Sequence, residues 1–132
     1  MATNIKNQSV GRRKEAVARV RIMEGNSPIL VNGKPISEVY RGIAFQKIYQ
    51  KPFELTKTLG KYTATIKVVG GGTSSRLVAI VHGLSRSLAS ISQENRTSLK
   101  RQGLLTRDPR VRERRKYGLA HAARAKKSSP KR

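Results

Sequence analysis

Residues 62–91 read YTATIKVVGGGTSSRLVAIVHGLSRSLASI, and a change of period inside them decides the fold. From Tyr62 to Val69 the pattern alternates: Tyr62, Ala64, Ile66 and Val68 share one face, Thr63, Thr65 and Lys67 the other, as in a half-buried strand. After Gly70-Gly71-Gly72 the period lengthens, and Leu77, Ile80, Val81, Leu84, Leu88 and Ile91 fall on one side of a helix, which must be core. The opposite side, with Ser75, Ala79, His82, Gly83, Arg86 and Ser90, carries small and polar groups that let something approach the helix backbone closely.

Working outward, Ala16, Ala18, Val20 and Ile22 alternate with Val17, Arg19, Arg21 and Met23, which predicts a second strand with a charged outer face. Ile29-Leu30-Val31 meets Asn32-Gly33, a pair that tolerates positive φ, and then Lys34-Pro35-Ile36, the signature of a tight hairpin. Ser37 is placed to cap a helix whose stripe is Tyr40, Ile43, Ala44 and Ile48, with Pro52 at its end or at a kink. Downstream, Asn95 is placed to cap a short helix that Gly103 ends, and Leu104-Leu105 form a last apolar anchor. There is no internal repeat, so the expected fold is α+β, a small mixed sheet packed with helices. The expected division is a flexible extension over residues 1–9, a globular domain over 10–105 and a basic tail over 106–132.

Composition bounds the function. Lys and Arg number 29 against 7 Asp and Glu, a net charge of +22 that repels itself unless a polyanion neutralises it. The 36% hydrophobic content fills one modest core if the basic ends stay outside it. Without cysteine there are no disulfides or thiolate metal sites, which argues against the small stapled cationic proteins that are secreted and favours an intracellular setting. Met1 to Ser9 lacks an apolar signal core, and no stretch approaches the roughly 20 apolar residues of a membrane span, so a mature soluble chain is expected.

The glycine run between a strand and a helix admits two readings, a flexible turn or a docking point for nucleic-acid phosphate, and Thr73, Ser74 and Ser75 favour docking. An NTP-hydrolysing loop is excluded for want of its Gly-Lys-Ser/Thr ending, and a dinucleotide site for want of spaced glycines and a later ribose-binding acid. His82 and His121, the only histidines, gather no metal set, and the acids Glu15, Glu24, Glu38, Glu54, Glu94, Asp108 and Glu113 stand singly among bases. No metal, cofactor or catalytic residue is assigned.

The tail differs in kind. Residues 107–132 hold eleven Lys and Arg and two acids, broken by Pro109, Gly118 and Pro130, too little apolar surface to bury, so disorder is expected when the chain is alone. Against RNA each base can neutralise a phosphate, Arg adds a planar fork, and Tyr117 can stack on a base.

Four stretches then stand together: GRRKEAVARVRI (11–22), VNGKPISE (31–38), GGGTSSRLVAIVHGLSRSL (70–88) and LLTRDPRVRERRKYGL (104–119). In this order and spacing they resemble the family of the ninth protein of the small ribosomal subunit, in its bacterial and organellar form, over about Val10 to Arg132. The resemblance implies a left-handed βαβ crossover and a long extended tail. It implies a structural constituent of the ribosome, in a bacterial cytoplasm or an organelle, that binds the 3′ major (head) domain of small-subunit ribosomal RNA beside neighbouring head proteins. The tail would reach peptidyl-site transfer RNA during translation, with Ser129, Lys131 and Arg132 nearest to it. The ribosomal RNA contacts would be Arg12, Arg13, Lys14, Arg19 and Arg21; Gly71, Gly72, Thr73, Ser74, Ser75 and Arg76 at the turn; His82 and Arg86 on the helix; and Lys100 and Arg101. In the tail they would be Arg107, Arg110, Arg112, Arg114, Arg115, Lys116, Tyr117, Arg124, Lys126 and Lys127. This chain departs from the family pattern in carrying Arg76 for a usual Gln, Ser87 for a common Ala, and the ending AKKSSPKR without an aromatic residue.

Two other classes of nucleic-acid protein share this charge. An architectural DNA-binding protein shares the charge but would need a wedge or dimer element, and a nucleic-acid enzyme would need clustered carboxylates for two-metal chemistry.

Overall fold

The computed structural model describes residues 5–111, 113–118 and 123. In chain order the elements are β1 (Ile5–Arg13), β2 (Ala16–Glu24), β3 (Leu30–Val31), β4 (Lys34–Pro35), α1 (Ile36–Val39), α2 (Ile43–Leu55), β5 (Tyr62–Val69), α3 (Thr73–Ile91) and α4 (Gln93–Arg101). The strands form one mixed sheet in the order β1-β2-β5-β3-β4, in which only the β3–β5 pairing is parallel. The segment β4–α1–α2 is therefore the crossover of a βαβ unit. Helix α3 packs on β1 and β2, and α2 and α4 pack in turn on α3.

The alternation in β2 and β5 is realised residue by residue. Ala16, Ala18, Val20 and Ile22 of β2 and Ala64, Ile66 and Val68 of β5 are buried, and so are Leu77, Ile80, Val81, Leu84 and Leu88 of α3. Thr63, expected on the open face, is buried because the β2–β3 connection covers it: its Oγ1 donates to Pro28 O at 3.3 Å. The hairpin forms at Asn32-Gly33, with Leu30 opposite Pro35 and Val31 opposite Lys34.

Three expectations are corrected. The flexible extension over residues 1–9 gives way from Ile5 onward to β1, which pairs with β2 from Ile5↔Met23 to Arg13↔Ala16. Its inward positions are small and polar: Asn7 Nδ2 donates to Ser87 O at 3.3 Å, and Ser9 Oγ donates to Gly83 O at 2.6 Å. A Cβ at Gly11 would lie 1.9 Å from Ala79 O and 2.3 Å from Gly83 N, so only glycine lets the strand rest on the helix. The close approach that α3's small side permits is thus made by the chain's own first strand.

The single helix expected from Ser37 is two. The chain breaks after α1 and restarts at Gly42, whose φ of 106° resets the helical phase. Of the anticipated stripe, Tyr40 before the break is buried, but Ile43, Ala44 and Ile48 face outward, Ile43 71% exposed, while Tyr49, Pro52 and Phe53 face the core. Pro52 sits in the last turn, where Thr56 Oγ1 donates to its carbonyl at 2.9 Å. Finally, Ser92 and not Asn95 caps α4: Asn95 N donates to Ser92 Oγ at 3.2 Å, and the Asn95 side chain donates to Leu88 O at 3.1 Å. Leu104 and Leu105 are half-buried against the core, and no helix or strand follows Arg101 among the described residues.

Candidate nucleic-acid interface

One face of the sheet carries the helices and the other is open. On the open face, register aligns three rows across β1, β2 and β5: Gln8–Arg21–Thr65, Val10–Arg19–Lys67 and Arg12–Val17–Val69. Arg12, Arg19, Arg21, Thr65 and Lys67 are exposed. Gln8, Ser9, Val10, Arg19, Val20, Arg21, Thr65 and Lys67 line a groove of about 760 Å³, with no acid among them. Arg19 and Lys67 stand directly opposite each other, and like charges so placed destabilise a sheet unless something anionic lies between or above them. Lys67 is not among the site residues the sequence points to; its position on the polar side of an alternating strand is the available signal, but its pairing with Arg19 follows only from the register.

At the glycine turn the bland and functional readings divide by residue. Gly70, at φ +75°, would place a Cβ 2.5 Å from Glu15 O, and one at Gly71 would meet the Ala16 Cβ at 3.0 Å, so both are required by close packing on the β1–β2 turn. Gly72 has open space around it and no side chain caps α3. Thr73 and Ser74 are exposed at that helix start, Ser75 and Arg76 half-buried. Arg76 Nε donates to Gly70 O at 2.9 Å, so its guanidinium is drawn back over the turn.

His82 and Arg86, expected at the RNA surface, are engaged within the protein. His82 is only 9% exposed: its Nδ1 accepts from the Arg12 N–H at 3.3 Å, and its Nε2 lies 3.2 Å from Leu105 O. Burial lowers its pKa below the ordinary histidine value, the Leu105 hydrogen bond opposes that, and the cations Arg86 and Arg107 add to the lowering. His82, expected among the RNA contacts, thus ties β1 and α3 to Leu105 inside the protein. Arg86 is exposed, but its Nη1 donates to Val10 O at 2.6 Å and braces β1. Ser87 is fully buried and its hydroxyl meets that of Ser9, so the hydroxyl added at this position has a partner on β1.

The remaining cations are spread. Lys14 is exposed at the β1–β2 turn, and Lys100 and Arg101 at the end of α4. Arg107, Arg110, Arg114, Arg115, Lys116 and Tyr117 are exposed, Tyr117 completely. Arg112, Arg124, Lys126, Lys127, Ser129, Lys131 and Arg132 lie outside the described residues. Arg13 turns from the sheet toward the start of the tail and lies 3.5 Å from Asp108. The Arg110 hydrogen bonds hold the Asp108 carboxyl well below the usual carboxylate range. Among the described residues, no three His, Cys, Asp or Glu gather to hold a metal, and no helix is long and apolar enough to cross a membrane.

Residues 11–132 match the family model described as ribosomal protein S9/S16. The chain is 50% identical over 120 residues to the small ribosomal subunit protein uS9 of Maridesulfovibrio salexigens, covering 91% of this chain and 92% of that one. It is 47% identical over 116 residues to the protein of the same name from Dehalococcoides mccartyi, covering 88% of each. With that of Lawsonia intracellularis it shares 47% identity over 126 residues, 96% of each chain.

Proposed function

The chain belongs to the ribosomal protein S9/S16 family, and from that premise we propose that it is a structural constituent of the small ribosomal subunit whose open sheet face and basic tail bind small-subunit ribosomal RNA. Members of this family are structural and not enzymes. The supporting observation is the array of Arg12, Arg19, Arg21 and Lys67, spread over three adjacent rows of a sheet face that no other element covers among the described residues, with Arg19 and Lys67 directly opposed. A phosphate backbone laid along the groove neutralises them at once and releases their counterions.

The RNA segment in this reading is the 3′ major domain of the head, beside neighbouring head proteins, and the site is a ribosome of bacterial type, with an organellar one as the alternative. The exposed start of α3, with Gly72, Thr73 and Ser74, offers N–H groups to a further phosphate. Residues 106–132 form the tail, threaded into RNA so that Ser129, Lys131 and Arg132 come near peptidyl-site transfer RNA. The crossover from β3 to β5 takes the left hand in this reading.

The test is the salt dependence of binding to a head-domain RNA fragment. Between about 50 and 200 mM salt, log K falls linearly with log[salt], and Lys67→Ala reduces that slope by about 0.7–0.9, one phosphate contact. A slope unaltered in Lys67→Ala, Arg19→Ala and Arg21→Ala alike would remove the sheet face from the interface. Co-sedimentation of the tagged chain with small subunits through high-salt sucrose tests the larger claim, and loss into DNA-containing fractions would overturn it.

A further inference from the structure

The segment that leaves the domain after Leu105 is tied back to it at three residues. Because His82 Nδ1 accepts from the Arg12 N–H, its proton resides on Nε2, which donates to Leu105 O. One imidazole thus joins β1, α3 and the first residue of the exit segment. Two positions beyond the last half-buried leucine's neighbour Thr106, Asp108 faces the Arg13 guanidinium at 3.5 Å, and Arg13 Nη1 also donates to the Arg110 carbonyl. Asp108 accepts from the Arg110 N–H at 3.0 Å and holds the Arg110 guanidinium through both its oxygens, with Nη2 at 2.7 Å.

An exposed ion pair alone contributes little, but Arg13 is only 13% exposed and is shared between a carboxylate and a backbone carbonyl, which restricts where both can lie. The acid is also in an unfavourable place for phosphate binding, within a run of arginines. A carboxylate there weakens attraction to RNA, yet it supplies a counter-charge that draws a cationic segment onto a cationic body.

We propose that His82, Arg13 and Asp108 are positioning residues that fix the direction in which the basic tail leaves the domain before any RNA is bound. The interlock exists in the free chain and does not depend on the RNA reading. The tail then meets its ligand from a set starting direction, which reduces the ordering entropy of binding at its root.

The chain contains no cysteine, so introduced pairs can be spin-labelled uniquely. Ser37→Cys and Gln93→Cys, both at exposed positions on the body, are each combined with Val111→Cys, and the interspin distances are measured by double electron–electron resonance on the free protein. A single narrow distance peak is expected from both pairs. Asp108→Asn keeps an oxygen to accept the Arg110 N–H but removes the charge that holds Arg13, and the expected result is loss of the narrow peak while amide-exchange protection in β1 and α3 stays as in the parent. Asp108→Glu, which keeps the charge, restores the peak. A distribution already broad in the parent, or one that stays narrow in Asp108→Asn, overturns the proposal. RNA affinity is measured separately, so either reading can fail without the other.

Discussion

A methyl group at residue 11 has nowhere to go. Both nearest atoms, Ala79 O and Gly83 N, are helix backbone, so Gly11→Ala pushes β1 off α3 and strains the Ser9–Gly83 hydrogen bond. The expected loss is at least the ~1–3 kcal/mol of an overpacked core, read as a lower thermal midpoint, whereas Gly72→Ala, with open space around it, leaves that midpoint nearly unchanged. His82 gives the fold a pH dependence of definite sign. Its folded pKa lies below 6.5, so between the two values the unfolded chain binds more protons. Its contribution is complete above about pH 6.5 and fades as the pH falls toward the folded value, because a protonated Nδ1 opposes the Arg12 N–H and adds charge beside Arg86 and Arg107. Thermal midpoints measured between about pH 7 and pH 5 are expected to fall more steeply in the parent than in His82→Gln. His82 was visible in the sequence as a polar residue on the small side of a helix; what covers it was not, because its partners are a backbone N–H and a carbonyl about 70 and 23 residues away.

Among the elements, β2, β5 and α3 were legible because each carries an apolar stripe of one period from end to end, although polar residues are buried beside it, Thr63 in β5 and His82, Ser85 and Ser87 in α3. Strand β1 was not, since Asn7, Ser9 and Gly11 reach α3 through hydrogen bonds and close backbone contact, which hydrophobic periodicity does not register. Helix α2 was legible as a helix but not in its phase, because Gly42 resets the rotation after α1. That phase is testable by substitution. Phe53→Ala is expected to cost about 3–5 kcal/mol in denaturant unfolding, while Ile43→Ser stays within about 0.5 kcal/mol, and the reverse order would restore the stripe read from the sequence. The cationic face of β2 was legible residue by residue, but the three-strand row it forms with Lys67 needed the pairing of β2 with β5.

For the whole molecule, charge and core are divided between the body and the tail. A chain ending at Leu105 loses eleven of its 29 Lys and Arg and the Asp108 tie, yet keeps every buried apolar residue of the core. It is expected to fold and to enter small subunits poorly, as measured by sucrose-gradient incorporation; normal incorporation would assign all of the RNA contact to the body. If the tail ends where the proposed function puts it, removal of Lys131 and Arg132 alone leaves incorporation intact and speeds transfer-RNA dissociation from the peptidyl site. The seating of β1 on α3 also has a consequence for the chain as it is being made. Strand β2 ends at Glu24 and Ser87 lies 63 residues further on, so at a synthesis rate of about 5–20 residues per second the β1–β2 hairpin waits roughly 3–13 s for the helix that covers it. During that interval Arg12, Arg19 and Arg21 are already arrayed for a polyanion while Val20 and Ile22 remain bare. The newborn protein presents most of its charged side seconds before its apolar side is closed, and those seconds are when it is most exposed to aggregation.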